Sequence, residues 1–164
     1  MQFPSFLAFL LLAVNGVGVT ALQEFWLSFV HRVIYDRVPV VVEWGGAIST
    51  TDPTILFNCN NEAVWTTTIW RERNDVSGNK YGMRLQPSGD PFSEGPIDVV
   101  ELNTDTFVGH QTVYADRNYD LYTLDGRIDA HCAVDRSFWT KLNCTRGEKY
   151  NLFETSSMLH CTPA

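Results

Sequence analysis

The spacing of apolar residues changes character twice along the chain. Leu22, Phe25, Trp26, Phe29 and Val30 recur at the three- and four-residue intervals of one helical face, which predicts a short amphipathic N-terminal helix. Strand patterns follow. Val38-Pro39-Val40-Val41-Val42-Glu43-Trp44 is β-branched and apolar on both sides, and Gly45-Gly46 is expected to stop it. Pro39 belongs near the start of that strand or on an edge. Asp52-Pro53 marks a turn ahead of Ile55-Leu56-Phe57. Ala63 to Arg73 and Tyr81 to Gln86 read as strands around a hairpin loop at Asn74 to Asn79. A polar Gly/Pro-rich connection, Pro87 to Pro96, leads to strands at Ile97 to Leu102, Phe107 to Ala115 and Tyr119 to Leu124. After Gly126, Phe138, Trp139 and Leu142 predict a second short helix, and Tyr150 to Phe153 a last extended piece.

Seven or eight short strands joined mainly by hairpins, with a helix at each end, predict an all-β fold: an up-and-down barrel of about eight strands. A barrel of that size leaves an interior just able to hold a small ligand. A β-sandwich is the alternative architecture.

The first residues stand outside this pattern. Phe6 to Val14 is an apolar run too short to span a bilayer, followed by small residues at Val19 and Ala21. This predicts a secretory signal peptide over residues 1–21 and one mature domain over 22–164, secreted and soluble. In an oxidising compartment Cys59, Cys132, Cys144 and Cys161 read as two disulfides, and the residues leave all three pairings open. No cysteine pair has zinc-site spacing, so no metal is expected. Asn143-Cys144-Thr145 is the glycosylation sequon. A net charge of −7 argues against nucleic acid or an anionic membrane as partner and is compatible with a cationic ligand. No nucleophile elbow, H-E-x-x-H or phosphate loop is present, so neither an enzyme nor a cofactor is expected.

Several segments are similar, in order, to the tick salivary lipocalins, the family that includes histamine-binding members. Tyr119-Asp120-Leu121-Tyr122 followed by Ile128-Asp129-Ala130-His131-Cys132 resembles that family's YELW strand and I-P-x-x-C turn. Glu24-Phe25-Trp26-Leu27-Ser28 resembles its opening D-A-W-x-S helix. Thr51-Asp52-Pro53 and Phe57-Asn58-Cys59 resemble its N-D-P turn and F-x-C strand, and Tyr150 to Cys161 its closing segment. The stretch from Ala63 to Val113 matches only in being strand-rich, and the family's C-D-V cysteine has no counterpart in Ala115-Asp116-Arg117-Asn118. The resemblance implies a lipocalin barrel with a C-terminal helix on its wall. It also implies a bond from Cys59 to Cys161, and with it one from Cys132 to Cys144.

For function, the resemblance implies a secreted salivary protein, a monomer, that sequesters histamine or serotonin and so suppresses host inflammation and haemostasis. It makes Asp120 and Asp52 amine-binding carboxylates and Tyr122 an aromatic wall, because a buried ammonium needs a carboxylate and gains from aromatic faces. Glu43 and Glu101 lie on predicted strands from which they can point inward, and Trp44 belongs to an aromatic-rich interior. Two alternatives remain. One is an apolar ligand such as a fatty-acid mediator or sterol, its carboxylate met by Arg71, Arg73 or Arg84. The other is a host immune or complement protein bound through surface loops such as Pro87 to Pro96.

Overall fold

The computed structural model describes residues 22–35, 41–61, 69–71, 75–86, 97–146 and 149–164. The predicted signal peptide, Val38 to Val40, Ala63 to Thr68 and the Pro87 to Pro96 loop lie outside them. Among the described residues, ten strands form one antiparallel sheet. They are β1 (Phe25–Ile34), β2 (Val41–Ser49), β3 (Ile69–Arg71), β4 (Gly82–Gln86), β5 (Val99–Asn103), β6 (His110–Tyr114), β7 (Asp120–Thr123), β8 (Ile128–Val134), β9 (Trp139–Arg146) and β10 (Lys149–Pro163). Among the described residues helix is confined to a single α turn, α1 (Pro53–Leu56), and short 3-10 turns at Cys59–Asn61 and Ala115–Arg117.

The strand order is β3-β2-β1-β10-β8-β7-β6-β5-β4. Read as a circle this is the chain order, with β10 closing against β1 and the one unpaired seam between β3 and β4. These two strands still approach each other. The result is a nearly closed antiparallel up-and-down barrel. β10 is its hub. One edge of β10 pairs with β1 from Phe25↔Cys161 to Ile34↔Asn151. The other pairs with β8 over Leu159–Pro163 and with β9 over Lys149–Ser156. β8 and β9 run in the same direction, so they are two halves of one long strand broken at Asp135–Phe138. Across that break the Asp135 N–H donates to the Met158 carbonyl and the Ser157 N–H to the Phe138 carbonyl, both at 2.9 Å.

Both expected helices are strands. β1 buries its two faces against different partners. Phe25, Leu27 and Phe29 enter the barrel core, while Val30 packs on the outer side with Ala47, Leu56, Phe57, Cys144 and Phe153. A strand covered on both sides is apolar at nearly every position, and a subset of such positions imitates helical spacing. In β9 only one face is covered: Leu142 and the preceding Phe138 pack on the outer cluster, while Trp139 on the opposite face is exposed. A wall helix is therefore not formed, and α1 with Phe57 covers the outer cluster in its place.

Gly45-Gly46 does not end β2, which continues to Ser49. A Cβ at Gly46 would lie 2.5 Å from Met83 Sδ and 2.8 Å from its Cε. Glycine here lets β4 send Met83, fully buried, across to β2. With Ile48, Leu85, Val100, Leu102, Val113, Leu121, Ala130, Met158 and Leu159, these side chains form one packed cluster drawn from β1, β2, β4, β5, β6, β7, β8 and β10. A ring of this size is just wide enough for its own side chains to fill.

The disulfides join Cys59 to Cys144 and Cys132 to Cys161, not Cys59 to Cys161 and Cys132 to Cys144. Cys132 and Cys161 are direct partners on the β8–β10 ladder, with Cα atoms 4.0 Å apart. Between Cys132 and Cys144 the chain is largely extended, at about 3.3 Å per residue through β8 and β9, which keeps those two cysteines far apart.

Candidate functional site at the edge of the packed core

β1, β2, β9 and β10 continue past the end of β8, so a four-stranded apron projects beyond the filled barrel. Its side chains fall in register rows. Gly46, Phe29, Ser156 and Trp139 lie in the first, Trp44, His31, Glu154 and Lys141 in the second. Phe29 belongs to the barrel core, so by alternation these rows continue its inner wall. Trp44, 37% exposed, stacks on His31 at a ring separation of 3.9 Å and leans on Phe29 at 5.6 Å. Glu154 stands across from His31 on one side and Lys141 on the other. Its Oε1 accepts a 3.2 Å hydrogen bond from Nε1 of Trp139, which is 58% exposed. Beneath, the Ser156 hydroxyl is buried with no partner among the described residues. The apron thus sets a half-buried carboxylate between an indole and an imidazole–indole stack. Such a surface attracts a cation, since each aromatic face adds about 0.5–1 kcal/mol at partly exposed sites.

Of the residues singled out from sequence, Trp44 alone lies here. Asp120 faces outward on β7, where Oδ1 meets His131 Nδ1 at 2.6 Å on the neighbouring strand. Its neighbour Leu121 takes the interior. Tyr122, also outward, lies edge-on to Tyr114 at 6.1 Å. Glu101 sits between Arg84 (2.8 Å) and His110 (3.2 Å) on the outer wall, because Val100 and Leu102 take the inner positions. Glu43 is outward on β2 and meets Arg32 at 3.8 Å. Asp52 caps α1: its Oδ1 accepts from the Thr54 hydroxyl at 2.6 Å and the Thr54 N–H at 2.8 Å. Those bonds, with a smaller contribution from His160, hold its carboxyl below the usual aspartate range. Asn143 is exposed on β9. The six expected ligand residues are therefore not gathered into one place, and Arg84 is committed to Glu101.

His31, Glu154 and Trp139 were missed. Their signal lies in register, since Glu154 joins Trp44 and His31 only once β10 is known to pair with both β1 and β9. Comparison with family patterns, characterised proteins and solved structures finds no match to this chain. The class of molecule defined so far is a nearly closed antiparallel β-barrel with two disulfides, a pair of bonds suited to an oxidising compartment.

Proposed function

We propose that the protein is a secreted, non-catalytic scavenger that sequesters a small aromatic amine, of the histamine or serotonin kind, on its apron and not in the middle of its barrel. The supporting observation is Glu154, held by Trp139 and facing the His31–Trp44 stack. An ammonium seated there meets a carboxylate while its ring meets aromatic faces, the two contacts that offset its loss of water. The ordered likeness of short motifs to the amine-binding salivary lipocalins points the same way. Asp120, the carboxylate which that likeness favours, is already occupied by His131. An apolar guest has less support, because the side chains lining the barrel pack against one another. Scavenging is stoichiometric, so affinity and abundance set its effect.

Tryptophan fluorescence tests the reading. Titration with serotonin and with histamine should give saturable quenching, weakened about tenfold or more in Glu154→Gln, as befits a lost charged contact. Asp120→Ala should bind as the unmodified chain does. Amine binding that survives Glu154→Gln but vanishes in Asp120→Ala would move the site to the outer wall. Saturation by a fatty acid with silence towards amines would end the amine reading.

A further inference from the structure

The outer wall at β6 and β7 carries a second group of side chains that the amine reading does not use. Tyr114 on β6 and Tyr122 on β7 stand edge to face, and the Arg117 guanidinium lies over both rings, 4.4 Å from the first and 5.3 Å from the second. The intervening turn is tightly determined. Asn118 and Tyr119 both adopt the left-handed conformation, φ 57° and 59°, which residues other than glycine enter at a cost. The Tyr119 N–H donates to the Tyr114 carbonyl at 3.1 Å, the Tyr119 carbonyl accepts from the Cys132 N–H at 3.2 Å, and the Tyr119 ring packs against the barrel core. A fixed turn thus holds an exposed arginine over two tyrosines.

That arginine is uncommitted: among the described residues Arg117 forms no ion pair and no hydrogen bond. Of the nearby acids, Asp120 is engaged with His131 and Glu101 with Arg84 and His110, and among the described residues neither Asp98 nor the adjoining Asp116 forms an ion pair with it. A guanidinium held over aromatic rings keeps N–H donors for a partner and has already lost part of its rotamer freedom, so it can bind a carboxylate with less further ordering. Beside it the wall offers apolar area. Ile128, 37% exposed, pairs with Tyr122 across the ladder, and Leu124 in the next turn is 75% exposed. Tyrosine and arginine anchors with apolar neighbours are the composition of protein-binding hot spots.

We propose that Tyr114, Arg117 and Tyr122 form a docking site for a partner protein that presents an aspartate or glutamate flanked by apolar side chains. A lone oxyanion would meet one guanidinium in full contact with water, a weak attraction. The apolar flanks reward a polypeptide and give nothing to a free ion. The chain's net charge of −7 restricts the partner further, to a protein of neutral or basic net charge whose carboxylate is a local feature. The site is independent of the amine reading.

The test is a titration of isotope-labelled protein with a short synthetic peptide holding one glutamate between leucines, followed by NMR at the Arg117 Nε–H and the amides of residues 113–123. Saturable shifts confined to this turn are expected. A glutamine version of the peptide should bind at least about fivefold more weakly, and Arg117→Lys, which keeps the charge and loses the fork, about tenfold more weakly. Three results would overturn the proposal. The first is inorganic phosphate reproducing the shifts, which would mean a simple anion site. The second is shifts that follow protein concentration without peptide, which would mean that a second copy of the chain docks here. The third is no movement of the turn with peptide.

Discussion

Cys132 and Cys161 face one another across the β8–β10 ladder with Cα atoms 4.0 Å apart, and their bond locks the strand that closes the barrel to the strand before it. The other bond fastens the turn after α1 to β9 and so pins the outer cover in place. Peptide mapping under non-reducing conditions should recover Cys59 with Cys144 and Cys132 with Cys161. The loops enclosed differ, with sequence separations of 85 and 29. In the chain-entropy treatment they contribute about 4.5 and about 3.5 kcal/mol respectively. Removing Cys59–Cys144 should therefore lower the denaturation midpoint more, and the reverse order would show that the closing bond dominates.

Gly46→Ala should destabilise the protein by about 1–3 kcal/mol, the usual range for overpacking a filled core. The added methyl would meet Met83, which has no exposed surface to swing into. Combining it with Met83→Ala should cost clearly less than the two single changes summed, as measured by urea denaturation. Strict additivity would mean that the two residues do not meet.

The cap at Asp52 predicts a pH dependence. Its folded-state carboxyl titrates below the ordinary aspartate value, chiefly through the Thr54 hydroxyl and N–H. A lowered folded pKa gives a contribution that is complete above the unfolded value and disappears as the pH falls through the folded one. Asp52→Ala should thus be less stable than the unmodified chain at neutral pH. The gap should close as the solution is acidified below about pH 4. A gap that is constant with pH would assign the loss to packing and not to the charge.

Asn118 occupies the left-handed region, where β-branched residues are strongly disfavoured. Asn118→Val should lower stability by about 1–2 kcal/mol and Asn118→Gly should be close to neutral. Equal effects of the two changes, read from thermal midpoints, would mean that the asparagine side chain and not the backbone matters here.

The barrel was legible in the sequence because most of its strands carry β-branched and aromatic blocks separated by turn residues. β5, β6 and β7 fall within a residue or two of where Ile97–Leu102, Phe107–Ala115 and Tyr119–Leu124 predicted them, apart from the turn ahead of β6. The two ends were misread because short apolar runs are ambiguous: Phe25 to Val30 is covered on both faces, Phe138 to Leu142 sets two packed side chains beside the exposed Trp139, and periodicity separates neither from a helix. The disulfide pairing that the family resemblance implied failed as well, because Cys161 meets Cys132 on the β8–β10 ladder and Cys59 bonds to Cys144. Which carboxylates face inward was open because Val99 and Val100 are both apolar. Full burial of Val100 and Leu102 sends Glu101 outside. The apron was invisible for a different reason: Trp44, His31, Glu154 and Trp139 are brought together by pairing between distant parts of the chain, and no local pattern records it.

The circular strand order also dictates the sequence of assembly. The hairpins from β4 through β8 join neighbours in the chain and can form early, at small entropic cost. Docking of β10 on β1 joins segments far apart, as in the contact of His160 with Glu24, 136 residues earlier. Until that docking occurs, Phe25, Leu27 and Phe29 have no roof. Such long-range closure slows folding and leaves sticky surface exposed meanwhile. Recombinant yield should accordingly be governed by how fast the tail finds the head.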